Sequence, residues 1–345
     1  MNKKRLAVVL LLAVMMAAAA LLAAVLLVEE PLPEPAGELE VHYIDVGQAD
    51  CILLQCGGAN MLIDGGNVED SDLVVAYLLE QDVTALEYVV NTHAHEDHVG
   101  GLPGVLAVME TKNVWCPVTE YNSGCFEDFC YYADQQELEL VCPEPGTQVQ
   151  LGDARVTVLG PVRDDYDTNN SSIILRVDYG VTSFLFTGDA EIQAEKDILE
   201  AGYDVSATVL KVGHHGSETS SGYQWLRAVD AEYAVIQVGE GNSYGHPHEI
   251  VMSRLRDADV TVYRTDLQGH IVCRSDGKSV SFETDKSAPV TNPTEKIEIF
   301  IGNTKSKKFH LETCSGLPQE ENRIVFACYD DAEAAGYTPC SRCIG

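Results

Sequence analysis

The sequence predicts an α/β protein, two sheets sandwiched between helices, with a small separate module behind it. Three observations predict this. Short β-prone runs crowd the first third of the chain. From about residue 190 onward, strands alternate with amphipathic helical stretches, the pattern of a layered α/β domain. The polar, proline-bearing stretch TDKSAPVTNPTEK then breaks the chain, so that 38–284 reads as the main domain, 285–296 as a linker and 297–345 as a second unit.

The elements follow in order. Lys3, Lys4 and Arg5 precede an uncharged apolar run from Leu6 to Val28, long enough to span a bilayer as a helix. Residues 1–28 therefore read as a signal peptide or signal anchor and 29–37 as a spacer. Positive-inside logic puts the basic end in the cytoplasm and everything after Glu29 outside. The expected location is extracellular, secreted or anchored to the outer face of the cytoplasmic membrane, with the membrane as partner only if the segment is uncleaved. Strands LEVHYIDV, CILLQC and NMLIDGG come next, then an amphipathic helix over Asp70–Gln81 with Leu73, Tyr77 and Leu78 on its apolar face. The strand LEYVVN leads into the turn THAHEDHVGG and a helical GLPGVLAVME. Residues 121–140 read as helical, RVTVLG as a strand, and SIILRVDYGVTSFLFTGDA as a hairpin turning at YGVT. A helix over Glu191–Ala201, a strand ending at Val212, a helix near Trp225, the strand YAVIQVG, a helix over Glu249–Arg256 and closing strands complete the domain.

Composition narrows the function. With 22 basic and 54 acidic residues the chain carries a formal charge of −32, which disfavours a tight nucleic-acid binder and leaves any polyanionic substrate needing local compensation, for instance from metal ions. Eleven cysteines in an exported chain permit disulfides. Cys116, Cys125, Cys130 and Cys142 are close enough for two bridges, and Cys51, Cys56 and Cys273 read as buried or paired.

The turn THAHEDHVGG carries the chemistry. His93 and His95 share a His-x-His spacing that can hold one cation, and Asp97 and His98 can hold a second. Gly100 and Gly101 are expected to let the backbone turn from the ligands into the next helix. Further ligands are available wherever an apolar strand stops: Asp189 in FLFTGDA, His214 and His215 in VLKVGHHGS, His246 and His248 in YGHPHE. A shared sheet edge is the economical explanation for so many loops of this kind. A closely spaced metal pair generates hydroxide at neutral pH and polarises a substrate oxygen, which points to hydrolysis.

HAHEDHVGG, LIDGG and TGDA together resemble the metallo-β-lactamase superfamily of metal hydrolases. More narrowly, YIDVGQADCILLQ, NNSSIILRV, FLFTGDA, LKVGHHGS and YGHPH are similar to the hydrolase domain of the ComEC/Rec2 competence proteins and their secreted relatives, over about Glu38 to Glu283. The resemblance implies an αββα sandwich with two divalent ions, zinc or manganese, at one edge. It implies that His93, His95 and Asp189 hold one ion, and that Asp97, His98, Asp189 and one of His214 or His215 hold the other. Asp97, Asp189 and His215 are then the catalytic candidates, with Asp97 orienting a bridging hydroxide. Asp64 would orient the histidine turn, and Lys211, Ser217, His246 and His248 would meet an anionic substrate group. Asn169 and Asn170 stand where the superfamily commonly supplies a histidine, which leaves the first ion short of one ligand and puts Asn170 beside the site. The chain shows none of the many membrane spans of a DNA-uptake channel.

The expected substrate is a phosphodiester, as a small molecule or as extracellular nucleic acid, and no protein partner is expected. A lactone, β-lactam or choline phosphoester uses the same ligands, and a non-catalytic binding protein on the same fold is the third reading. In the second unit, His310, Cys314, Cys340 and Cys343 have structural-zinc spacing, while Cys314, Cys328, Cys340 and Cys343 could instead form two disulfides in an exported chain. The segment resembles the small metal-binding module of the Ada DNA-repair protein, with His310 in place of one cysteine. Lys305, Lys307 and Lys308 form a basic run beside it, the other being at the N-terminus.

Overall fold

A computed structural model describes residues 35–289, 299–326 and 329–344. The expected signal or anchor segment lies outside the described residues, as does most of the linker. Among the described residues no helix is long and apolar enough to cross a membrane.

Two sheets form the main domain. The first has eight strands, in the order Val280–Thr284, Ile271–Ser275, Leu39–Tyr43, Ile52–Cys56, Ala59–Ile63, Tyr88–Val90, Val114–Trp115 and Leu140–Val141. The second has seven, in the order Thr261–Arg264, Tyr233–Ile236, Val209–Lys211, Thr182–Phe186, Ile174–Tyr179, Ala154–Gly160 and Gln148–Leu151. Alternation along each strand builds the layers. Ile52, Leu54 and Cys56 point into the core between the sheets, where Phe184 and Phe186 meet them. Their neighbours Cys51 and Leu53 face outward onto the helices Ser71–Glu80, Leu102–Val108 and Gly124–Gln135. Leu185 likewise faces the helices Ile192–Ala201, Tyr223–Val229 and Glu249–Asp257. The expected sandwich of sheets between helices is what forms.

Two local expectations need correction. The buried face of Ser71–Glu80 is Val74, Tyr77 and Leu78, while Leu73 is 41% exposed. Val74 continues the i, i+3, i+4 stripe, and Leu73 falls a residue to the side of it. The clustered cysteines are all unbridged. Three of the four have another polar neighbour instead: Cys116 donates to Asn91 Oδ1, Cys125 lies against Ser123 Oγ, and Cys142 donates to the Pro117 carbonyl.

The C-terminal unit is too small for a full core and borrows from the main domain. Its sheet runs Arg323–Phe326, Phe300–Asn303, Lys308–Leu311, Thr338–Pro339. Its apolar cluster of Phe300, Phe309, Phe326, Tyr329 and Tyr337 includes Tyr223 of the main domain. Tyr223 stacks on Tyr329 at 5.1 Å and meets Phe300 edge-on at 5.1 Å. Arg227 adds an ion pair to Glu333 at 3.1 Å.

The loop that precedes Tyr223 is clamped from both sides. Arg254 Nη1 donates to the carbonyls of Glu218, Ser220 and Ser221. Glu195 accepts from the backbone N–H groups of Ser221 and Gly222. Burial pushes the Glu195 carboxyl from an ordinary 4.5 up to about 7. A folded state that holds this proton more tightly than the unfolded chain gains stability at low pH, and that gain is lost as pH rises through 7. Thermal stability is therefore expected to fall by roughly 3 kcal/mol between pH 5 and pH 8, and Glu195→Gln is expected to flatten this part of the profile. Melting temperature against pH, wild type beside the variant, is the check.

Candidate metal centre

The first sheet delivers its ligands through the turn after Tyr88–Val90. Asp64, at the end of Ala59–Ile63, accepts from the Thr92 backbone N–H and hydroxyl, each at 2.7 Å, and lies 2.8 Å from His98 Nδ1. That contact fixes the ring and turns His98 Nε2 toward the second sheet. Gly100 and Gly101 have ordinary right-handed helical torsions, so conformational freedom is not why they are glycine. Close approach is: a Cβ on Gly101 would strike the Gly65 carbonyl, and one on Gly100 the backbone of Val68.

The second sheet delivers Asp189, just past Thr182–Phe186, and the pair His214 and His215, just past Val209–Lys211. Ser172 Oγ accepts from the Asp189 backbone N–H at 3.1 Å. His214 and His215 both adopt left-handed backbone conformations, φ 49° and 51°, a strained arrangement that aims two consecutive imidazoles at one edge.

The two halves meet at Asp189. Its Oδ1 lies 3.3 Å from His98 Nε2 and 3.7 Å from His215 Nε2. Its Oδ2 lies 3.9 Å from His93 Nε2 and 3.6 Å from His214 Nε2. Asp97 Oδ2 sits 3.3 Å from His215 Nε2, and His95 Nδ1 sits 3.0 Å from His93 Nε2. The donor atoms of Asp97, His98, Asp189 and His215 all fall within 4.8 Å of one another.

This donor set fits a cation. His98 Nε2, His215 Nε2 and Asp189 Oδ1 are buried without any hydrogen-bond partner, and all three point to the same space. Buried polar atoms are rarely left so. The field agrees. Burial opposes charge on His215, yet Asp189 and Asp50 push it up to about 10. His98 is likewise driven up, against burial, by Asp189, Asp64 and Asp97. The carboxylates draw protons onto imidazoles in a dry place, and a divalent ion answers the same field.

The remaining predicted residues divide. The His246 ring lies 5.8 Å from that of His214 and 6.4 Å from that of His215, on the open side of the cluster. His248 Nδ1 accepts from the Glu218 backbone N–H, so it pins the loop. Asn170 Oδ1 accepts from the backbone N–H groups of Glu191 and Ala194, stitching the start of Ile192–Ala201 to the preceding loop; it meets neither ligands nor groove. Lys211 and Ser217 are corrections. Lys211 is fully buried and pairs with Asp50 at 2.7 Å, so its ammonium is unavailable to a substrate. Ser217 is 5% exposed and its hydroxyl is engaged with Thr219. Sequence reasoning missed Asp50 and Glu191. Glu191 Oε1 lies 3.4 Å from His214 Nδ1 and also accepts from Thr219 Oγ1 and Asn169 Nδ2. The only signal for Asp50 was a carboxylate set against the apolar run CILL.

In front of the cluster lies a groove of about 960 Å³ whose lining includes Asp45, Gln48, Asp70, Glu96, Asp97 and Tyr244, with no lysine or arginine among the described residues. In the C-terminal unit, His310, Cys314, Cys340 and Cys343 gather their donor atoms within 4.8 Å.

Residues 44–240 match the family model described as the metallo-β-lactamase superfamily. The chain belongs to that superfamily. A second model, the metal-binding domain of Ada, matches residues 290–344. Among curated proteins, the chain is 28% identical to ComE operon protein 3 of Bacillus subtilis over 75% of its own length and 36% of that protein's. It is 31% identical to the competence protein ComA of Neisseria gonorrhoeae, over 68% of its length and 32% of that protein's. It thus spans about a third of the curated relatives it matches. A solved structure, the metallo-β-lactamase fold protein YhfI of Bacillus subtilis, aligns at 13% identity over 69% of this chain and 99% of that one, with a TM-score of 0.49. The chain thus has the metallo-hydrolase fold of that superfamily, is related to competence proteins, and ends in a His/Cys cluster within the segment that matches the metal-binding domain of Ada.

Proposed function

We propose that this protein is an exported, dinuclear hydrolase of phosphodiesters, with nucleic acid as its substrate class. The observation that carries the reading is the division of Asp189: each carboxylate oxygen faces a different pair of imidazole nitrogens. On that division His93, His214 and Asp189 would hold one ion, with His95 beside His93, and His98, His215 and Asp189 would hold the other, with Asp97 beside His215. His214 would thereby supply the nitrogen that the Asn169/Asn170 position lacks. A zinc or manganese pair supplies Lewis acidity toward a phosphoryl oxygen and a hydroxide at neutral pH. The chain's own residues do the rest. Asp64 keeps His98 in the tautomer with Nε2 free, and Glu191 does the same for His214. Asp97, 32% exposed, is the ligand carboxylate that reaches the groove. The competence names of the relatives support the nucleic-acid reading. The acidic groove with the exposed Tyr244 favours a second reading, a cationic leaving group such as a choline phosphoester.

The test is hydrolysis by the metal-loaded protein. Bis-p-nitrophenyl phosphate and single-stranded DNA are expected to be cleaved, nitrocefin not, and His95→Ala is expected to abolish cleavage. DNA turnover is expected to be weak and strongly salt-dependent, given the charge of −32. Cleavage of nitrocefin alone would move the substrate class and leave the fold assignment intact.

A further inference from the structure

One buried ion pair joins the two sheets directly beneath the ligands. Asp50 lies in the turn between Leu39–Tyr43 and Ile52–Cys56 of the first sheet, and Lys211 ends Val209–Lys211 of the second. Asp50 Oδ2 and Lys211 Nζ are 2.7 Å apart, with the two residues 1% and 0% exposed. Lys211 Nζ also donates to the Val212 carbonyl at 2.9 Å. The other oxygen of Asp50 lies 3.2 Å from His215 Nδ1, which is also 3.0 Å from the Gln237 carbonyl. The Asp50 backbone N–H donates to the Asp97 carbonyl at 3.1 Å. Asp50 therefore touches both halves of the centre, Asp97 through its main chain and His215 through its side chain.

We propose that Asp50 and Lys211 are positioning residues that set the spacing between His215 and Asp97 and so the occupancy of the metal pocket those two share. The inference rests on the dinuclear reading above. An ion pair this dry is a poor way to stabilise a core, because desolvating two charges offsets most of their attraction and apolar residues pack there as well. A site that needs a fixed distance and a fixed charge has a use for it. The pair does two things at once. The Gln237 carbonyl accepts the proton on His215 Nδ1, and the Asp50 carboxylate beside it holds the ring in place by charge, leaving Nε2 as a donor. Lys211 occupies the opposite oxygen of a carboxylate whose ligand atom lies within 4.8 Å of those of Asp64 and His98. Without that ammonium Asp50 is free to act as an additional ligand and to shift the pocket.

The test is cobalt(II) binding by the full chain in competition with a chelator. Cobalt–thiolate charge-transfer bands report the C-terminal module, and d–d bands report the nitrogen and oxygen ligands of the main domain. Asp50→Asn, a near-isosteric change, is expected to weaken one of the two main-domain ions by about 10- to 100-fold, while the other ion and the thiolate bands stay as in the wild type. Lys211→Met is expected to do the same, Lys211→Arg to restore most of the loss, and Asp50→Asn with Lys211→Met to cost little more than either alone. Wild-type affinity for both ions in folded Asp50→Asn would overturn the proposal, as would an equal loss of both ions together with the thiolate signal. If the wild type itself shows no main-domain d–d bands, the dinuclear reading fails, a result distinct from two wild-type ions that Asp50→Asn leaves unmoved. Should Lys211→Met fail to fold, Asp50→Asn and Lys211→Arg decide.

Discussion

Asp189→Asn is expected to release metal from both halves of the centre and to lower phosphodiester hydrolysis by more than ~100-fold, beyond what loss of a partner outside the ligand set costs. The reason is geometric. Both oxygens of Asp189 face imidazole nitrogens, Oδ1 toward His98 and His215 and Oδ2 toward His93 and His214. An amide must present NH2 on one side, a donor pointed where a cation and lone pairs belong. It also removes one of the negative charges that raise His98 and His215. Metal content after dialysis and turnover of bis-p-nitrophenyl phosphate, measured on the same preparation, check this. Two retained ions with more than a tenth of the activity would move the bridging role to another residue.

The second large effect lies far from the groove. Cys340→Ser with Cys343→Ser is expected to unfold the C-terminal unit and to lower the melting temperature of the rest by about 5–10 °C. Zinc in small modules contributes apparent free energies of about 10–16 kcal/mol, as large as the whole stability of an ordinary domain. A four-strand unit whose core borrows Tyr223 has little else to hold it. Its loss uncovers Tyr223, now 4% exposed, and takes Glu333 away from Arg227. Proteolysis after the linker and differential scanning calorimetry are the measurements. An unchanged melting temperature with the module cut away would mean that its contact with Tyr223 contributes nothing.

Much of this was legible in advance, for identifiable physical reasons. His93, His95, His98 and Asp189 were visible because each sits where a β-prone run stops, and strand ends of a layered fold converge on one edge. His214 and His215 were visible as a pair but not as separate ligands, because only their left-handed backbone sends one ring to each oxygen of Asp189. Lys211 was misread because a lysine near a strand end looks exposed, and the carboxylate that buries it comes from the other sheet. Asp50 and Glu191 went unseen for the same reason: their roles exist only once the chain has folded. Leu73 misled because it is one residue off the stripe that Val74 continues.

The two donor clusters of this protein have opposite relations to its folding. The four ligands of the C-terminal cluster come from one short stretch of chain, 310–343, so an unfolded segment can gather around the ion and be ordered by it. The ligands around Asp189 come from loops of two different sheets and meet at one edge only after both sheets have packed. There a cation would arrive last, into a pocket already built. The C-terminal donors would need their ion to make the domain; the donors around Asp189 would need the domain to make the site.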